Sequence, residues 1–230
     1  MQLYGWQKLT LLDYPGKVAT TVFTGGCNFC CPFCHNASLV THLSPEPNLS
    51  QEEFFAFLHK RQGVLDGVCI SGGEPLLQDN LRPFMVKIKE LGYALKLDTN
   101  GSFPQKLKQL VTEGLVDYVA MDIKNSKERY ALTCGLQEAP LAAVEESVEF
   151  LQQGRVPYEL RTTVVRELHR KEDFAAIGQW LASDAPYFLQ GFVDSGDLIE
   201  ERFTAYSKEE MQEFIDILRK TMFHVTLRGI

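Results

Sequence analysis

The sequence predicts an α/β fold, a parallel sheet of about six βα units rolled into a partial, open TIM-like barrel. Two observations lead there. Short runs rich in β-branched and aromatic residues alternate with amphipathic, capped segments along the whole chain. Such alternation builds right-handed βα crossovers, and about six of them are too few to close an eight-stranded barrel.

Taken in order, residues 2–7 give a short opening strand, and Asp13-Tyr14-Pro15-Gly16 reads as a turn. "KVATTVFT" (17–24) is the first strand of the alternating series. The stretch "HNASLVTHLSPEPNLS" (35–50) carries two prolines and several turn formers, and a loop this long is more often functional than idle. Ser50 and Glu53 make a capping box before Phe54, Phe57 and Leu58. "GVCIS" (67–71) and "ALKLD" (94–98) are strands flanking a helix that places Phe84, Ile88 and Leu91 on one face and stops at Gly92. Leu107, Leu110 and Val111 precede Gly114 in the same way, ahead of the strand "DYVAMDI" (117–123). Pro140 opens a helix carrying Val144, Val148 and Leu151 and closing at Gly154. "YELRTTVV" (158–165) and "YFLQGFV" (187–193) are strands; Ser207 and Glu210 cap a helix with Met211, Phe214, Ile215 and Leu218, and "HVTLRG" (224–229) adds a last strand. Arg219 and Lys220 suit the negative end of that helix's dipole.

At 230 residues, 45% hydrophobic and 23% charged, the chain reads as one domain over residues 1–230. A net charge of −7 argues against a large nucleic-acid footprint. No apolar run approaches the ~20 residues of a membrane span, and no signal segment opens the chain. The expected location is cytoplasmic. Of the six cysteines, four crowd into residues 27–34 while Cys69 and Cys134 stand alone, a pattern of metal or redox chemistry in a reducing compartment and not of a disulfide framework. Cys69 reads as a buried apolar thiol, and Cys134, in "YALTCGL", takes no assignment.

Parallel βα folds assemble their sites where the strands end. The first strand of the series ends in "GGCNFCCPFC", the next in "SGGEP" (71–75), then "DTNG" (98–101) and "MDIK" (121–124). Cysteines, a glycine pair with Glu74, the carboxylate of Asp98 and the Asp122–Lys124 pair therefore share one rim. Acidic groups there need cationic or donor partners. Arg161, mid-strand in "YELRTTVV", needs one too. The cysteines read in two registers. Paired as Cys27 with Cys30 and Cys31 with Cys34, they make a closed four-thiolate zinc or electron-transfer site; as CxxxCxxC they leave Cys30 aside. No hydrolytic acid/base pair and no phosphate loop stands out.

"CNFCCPFC" resembles the CxxxCxxC signature of radical S-adenosylmethionine (SAM) enzymes, and "GGEP" their methionine-binding motif. "DTNG" and "MDIK" resemble motifs of glycyl-radical-enzyme activases. The opening "LTLLDYPGKVATTVFTGGCNFCCPFCHN" is most similar to the activating proteins of anaerobic ribonucleoside-triphosphate reductase. The resemblance covers roughly residues 5–165. It implies a 4Fe–4S cluster in the loop 25–36 on Cys27, Cys31 and Cys34, with one iron left open for SAM. Cys30 would close that iron and is expected to stay off. Phe33, Gly72, Gly73, Glu74, Asp98, Lys124 and Arg161 are implied as SAM contacts, Glu74 as counter-charge to its ammonium. Asp98, Thr99 and Asp122 are implied as a monovalent-cation site, against the alternative of an Asp122–Lys124 salt bridge. His35 is expected to structure the loop. The implied activity is reductive cleavage of SAM to a 5′-deoxyadenosyl radical that makes a glycyl radical on a partner, with flavodoxin or ferredoxin as electron donor. The alternatives are activation of another glycyl-radical enzyme and a small-molecule reaction of the 7-carboxy-7-deazaguanine synthase type. No further cysteine cluster follows, so no auxiliary cluster domain is expected.

Overall fold

The seven β-rich runs beyond residue 16 all become strands, and all run parallel. The computed structural model describes residues 1–43, 49–182 and 184–229. β1 (Leu3–Thr10) pairs antiparallel with β2 (Ala19–Thr24). Parallel neighbours then follow in chain order: β3 (Gly67–Gly72), β4 (Ala94–Thr99), β5 (Tyr118–Asp122), β6 (Tyr158–Val164), β7 (Tyr187–Gly191) and β8 (Val225–Arg228). Six crossovers join β2 to β8, and the strand order is linear, so the barrel is partial and open as expected.

The crossovers carry α1 (Ala37–Val40), α2 (Gln51–Lys60), α3 (Leu81–Glu90), α4 (Pro104–Thr112), α5 (Tyr130–Cys134), α6 (Leu141–Gln152), α7 (Lys171–Leu181) and α8 (Lys208–Leu218). Both expected capping boxes form. Ser50 Oγ accepts from Glu53 N at 3.1 Å and Glu53 returns the bond to Ser50 N, and Ser207 and Glu210 do the same for α8. α2 is pinned to the sheet by Trp6, which meets Phe54 and Phe57 edge-on. Three elements exceed the expectation. The opening strand runs to Thr10, α7 fills the crossover between β6 and β7, and "YALTCGL" is helical as α5. α7 buries Phe174, Ile177 and Leu181 at helical spacing, and Asp173 accepts from Arg170 N to cap it. Of the stretch 35–50, the four residues of α1 are helical and residues 44–48 lie outside the described residues.

Strand alternation sorts the side chains into two populations. Outward residues such as Val68, Ile70, Leu95, Leu97, Val119, Met121, Leu160 and Leu189 are wholly buried in one apolar cluster with the helices. Inward residues include the polar and aromatic ones. Glu159, fully buried, takes both guanidinium nitrogens of Arg228 at 2.8 and 3.0 Å and the Tyr118 hydroxyl at 3.1 Å. Buried Lys96 pairs with Asp98. Below them Tyr14, from the Asp-Tyr-Pro-Gly turn, seals the floor. Its ring lies 5.9 Å from that of Tyr118, and a side chain at Gly67 would strike it at 3.0 Å. A charged interior is tolerable because each ion is matched.

Candidate active site

The strand ends β2–β7 surround a cleft of about 210 Å³ at the carboxyl rim. The loop after β2 supplies its cysteines. Cys27, Cys31 and Cys34 all line the cleft, while Cys30 is exposed and does not. Cys30 is held away by its backbone. Its N–H donates to Cys134 O at 2.9 Å, and its carbonyl sits where any side chain at Gly135 would be, 2.0 Å from that Cβ. Only the left-handed glycine that ends α5 lets the two segments meet so closely. Burial pushes the Cys27 thiol up to about 12 and raises Cys34 as well. Cys31 moves the other way, because a hydrogen bond from buried Cys134 outweighs burial, with Lys124 adding to it. Neutral thiols in an enclosed pocket become ligands when a metal supplies the compensating charge.

The glycine turn after β3 is shaped by the cysteine loop. Gly73 N donates to Thr24 O and Glu74 N to Gly26 O, both at 2.9 Å. A Cβ on Gly73 would lie 2.0 Å from Gly26 O, and Gly72 holds φ +122°, so neither position admits a side chain. Both glycines line the cleft, and Asn36 donates to the Gly72 carbonyl at 3.2 Å.

Glu74 lies behind the rim, not on it. Wholly buried, its carboxylate accepts from Leu76 N at 3.0 Å, Thr99 Oγ1 at 2.8 Å and Asn100 N at 2.7 Å. That geometry ties the end of β3 to the end of β4 and caps the turn Pro75–Leu77; it does not present a counter-charge to a ligand. Burial raises the Glu74 carboxyl to about 7 despite those three donors.

The remaining charges form a lattice. Arg161 bridges Asp122 Oδ1 at 2.9 Å and Asp98 Oδ2 at 3.4 Å; Lys124 binds Asp122 Oδ2 at 2.9 Å; Ser71 and Lys96 complete Asp98. Burial pushes the two carboxyls up, but Arg161 and its fellow cations more than offset it and hold both below their ordinary range. Burial likewise lowers Lys124 and Arg161, and the carboxylates overcome it to keep both protonated. The residues expected to hold a monovalent cation, Asp98, Thr99 and Asp122, all line the cleft. Their carboxylates pair with Arg161, Lys96 and Lys124, and the Thr99 hydroxyl is bound to Glu74 and to Gly101 N. The Asp122–Lys124 salt bridge is formed.

Of the predicted residues, Cys27, Cys31, Phe33, Cys34, Gly72, Gly73, Asp98, Thr99, Asp122, Lys124 and Arg161 come together in this one cleft. Sequence reasoning missed the partners of the cysteines. Asn100 reaches Cys27 Sγ at 3.8 Å and Asn28 at 3.0 Å, and Cys134 backs Cys31. His35 lines the cleft and stacks on Phe192, while Asp197, in the segment after β7, grips Ser38 through its Oγ at 2.7 Å and its N–H at 3.2 Å. None of these pairings has a local signature, since they join residues far apart in the chain.

Among the described residues, no three Cys, His, Asp or Glu side chains converge on a single metal ion. The donor set suits a cubane instead, where each of three thiolates takes its own iron and a fourth iron stays open. The sequence profile of the Radical SAM superfamily matches residues 21–180. The chain belongs to the radical SAM superfamily. A Methanocaldococcus jannaschii protein assigned as a glycyl-radical enzyme activating enzyme is 31% identical over 229 residues, covering 96% of this chain and 93% of its own. The pyruvate formate-lyase-activating enzyme of Clostridium pasteurianum is 30% identical over 54% of this chain and 52% of its own. The crystal structure of a domain of pyruvate-formate lyase-activating enzyme from Bacteroides vulgatus superposes with a TM-score of 0.59 at 18% identity, covering 71% of this chain and 99% of that one. This radical SAM protein is thus an enzyme of the activase type, with a 4Fe–4S cluster and SAM as its cofactors. No helix among the described residues is long and apolar enough to cross a membrane.

Proposed function

We propose that this enzyme installs the glycyl radical of anaerobic ribonucleoside-triphosphate reductase, taking its electron from flavodoxin or ferredoxin. One observation carries the reading: three thiols of the "GGCNFCCPFC" loop turn into the cleft while the fourth, Cys30, is held outside. When bound, the cluster supplies the electron that cleaves SAM to methionine and a 5′-deoxyadenosyl radical, which removes an α-hydrogen from a glycine of the partner. Cys27, Cys31 and Cys34 hold the cluster. Phe33, buried in the cleft wall, would pack against the adenine of bound SAM. Gly72 and Gly73 bring main-chain carbonyls to the methionine ammonium. Lys124 and Arg161 face the SAM carboxylate, and Asp98 and Asp122 hold those cations in place beforehand, so that little reorganisation accompanies binding. Glu74 acts at a distance, by fixing the strand ends that carry Gly73 and Asn100. The whole chain, residues 1–230, works as one radical SAM domain.

The test is anaerobic. Reconstituted protein, SAM, reductant and the reductase are mixed, and a glycyl radical is sought on the reductase by electron paramagnetic resonance. A radical that requires all components is expected. SAM cleavage with no radical on the reductase removes this partner, and absence of SAM cleavage removes the activase reading.

A further inference from the structure

Nearly every polar side chain on the rim is bound to another. Two are not. Thr163, on β6, and Gln190, on β7, are register partners on adjacent strands, and both line the cleft. Each is half-buried, and among the described residues neither side chain has a hydrogen-bond partner. Around them Asp98, Asp122, Arg161 and Lys124 are engaged with one another, Ser71 with Asp98, and Asn36 with Gly72. Half-exposed, Thr163 and Gln190 are open to solvent in the cleft. Any substrate that covers them must supply matching groups, because a polar atom buried without a partner is costly.

The chemistry of the pair narrows that substrate. A carboxamide offers a donor and an acceptor in one plane, the complement of a peptide group, and the hydroxyl beside it adds a donor and an acceptor. Neither carries charge. The nearby cations Arg161 and Lys124 are held by Asp98 and Asp122 and serve the SAM carboxylate under the activase reading, so none is left for a phosphate or carboxylate of the substrate. The geometry points to Thr163 and Gln190 as the subsite that grips the main chain of the partner's peptide loop and sets the reacting glycine in the cleft. This assignment rests on the activase reading and adds to it the residues that align the protein substrate.

The experiment uses the reconstituted holoenzyme with the reductase and measures glycyl radical formed per 5′-deoxyadenosine released, in wild type, Gln190→Ala, Thr163→Val and Thr163→Ser. Alongside, the affinity of the holoenzyme for a synthetic peptide copying the reductase's glycine loop is measured by calorimetry. Gln190→Ala and Thr163→Val are expected to lower the ratio about tenfold and to weaken the peptide by a similar factor. Thr163→Ser, which keeps the hydroxyl, restores both. If wild type activates the reductase and the two variants match it in ratio and affinity, the subsite is overturned while the activase reading stands. Proportional loss of both products, with the ratio unchanged, overturns it as well. Wild type that cleaves SAM without radicalising the reductase sinks the assignment together with the partner, and wild type that activates the reductase yet binds no peptide overturns the subsite alone.

Discussion

At the scale of single residues, the outcome hinges on Cys30. Four cysteines in eight positions admit a closed metal site, and the sequence could argue for three only through resemblance. The structure adds a physical reason, a backbone clamp by Cys134 O and Gly135 that turns the Cys30 thiol outward. Cys30→Ser is therefore expected to retain full iron content and SAM cleavage, whereas Cys27→Ala, Cys31→Ala or Cys34→Ala loses the cluster, as read by iron analysis and visible absorbance. Glu74 makes a second residue-level prediction. Its pKa is raised from an ordinary 4.5 to about 7, so between those values the folded protein keeps a proton that the unfolded chain releases. Stability then falls as pH rises through that window, by up to about 3 kcal/mol. Glu74→Gln cannot titrate. The stability advantage of wild type over this variant should shrink between pH 5 and pH 7 in denaturant titrations, and a constant gap would rule the effect out.

At the scale of elements, the strands were the legible part. Each of the six internal runs, from "KVATTVFT" to "YFLQGFV", lies on a strand, because a parallel strand buried on its outer face must be β-branched and apolar there. Caps were equally readable at Ser50 and Ser207, whose partners sit three residues away. What escaped was anything joined across the sequence. The lattice around Arg161 spans four strands, and Glu74 looked like a ligand because nothing local reveals that Thr99 and Asn100 close over it. α5 and α7 were hidden for a different reason. α5 is a single short turn of helix, and α7's apolar face is interrupted by Gly178 and carried on a weak cap. The segment after β7 was likewise silent, yet Asp197 clasps Ser38 beside the cysteine loop. Asp197→Ala should remove about 1–2 kcal/mol of that anchoring. The expected result is a cluster that bleaches faster in air with the overall fold unchanged by circular dichroism.

At the scale of the molecule, an open sheet with a charged interior is held by its outer apolar layer and by matched ions within. The cluster and SAM should then add to stability by mass action, since only the folded chain assembles the cleft. At a hundredfold excess over its dissociation constant, SAM contributes about 2.7 kcal/mol, which for a chain of this size raises Tm by about 5–10 °C. The shift should be absent from Cys31→Ala, which lacks the open iron. A shift that survives in that variant would place the SAM site elsewhere.

Tyr14 turns the barrel into a vessel with a stopper. Its ring fills the base beside Tyr118, and the cleft that the strand ends surround opens at the opposite, upper mouth. Under the activase reading, SAM has to be seated before the large partner settles over that mouth, and spent methionine and 5′-deoxyadenosine wait beneath it until it lifts. Each round of activation is then obliged to end in separation of the two proteins.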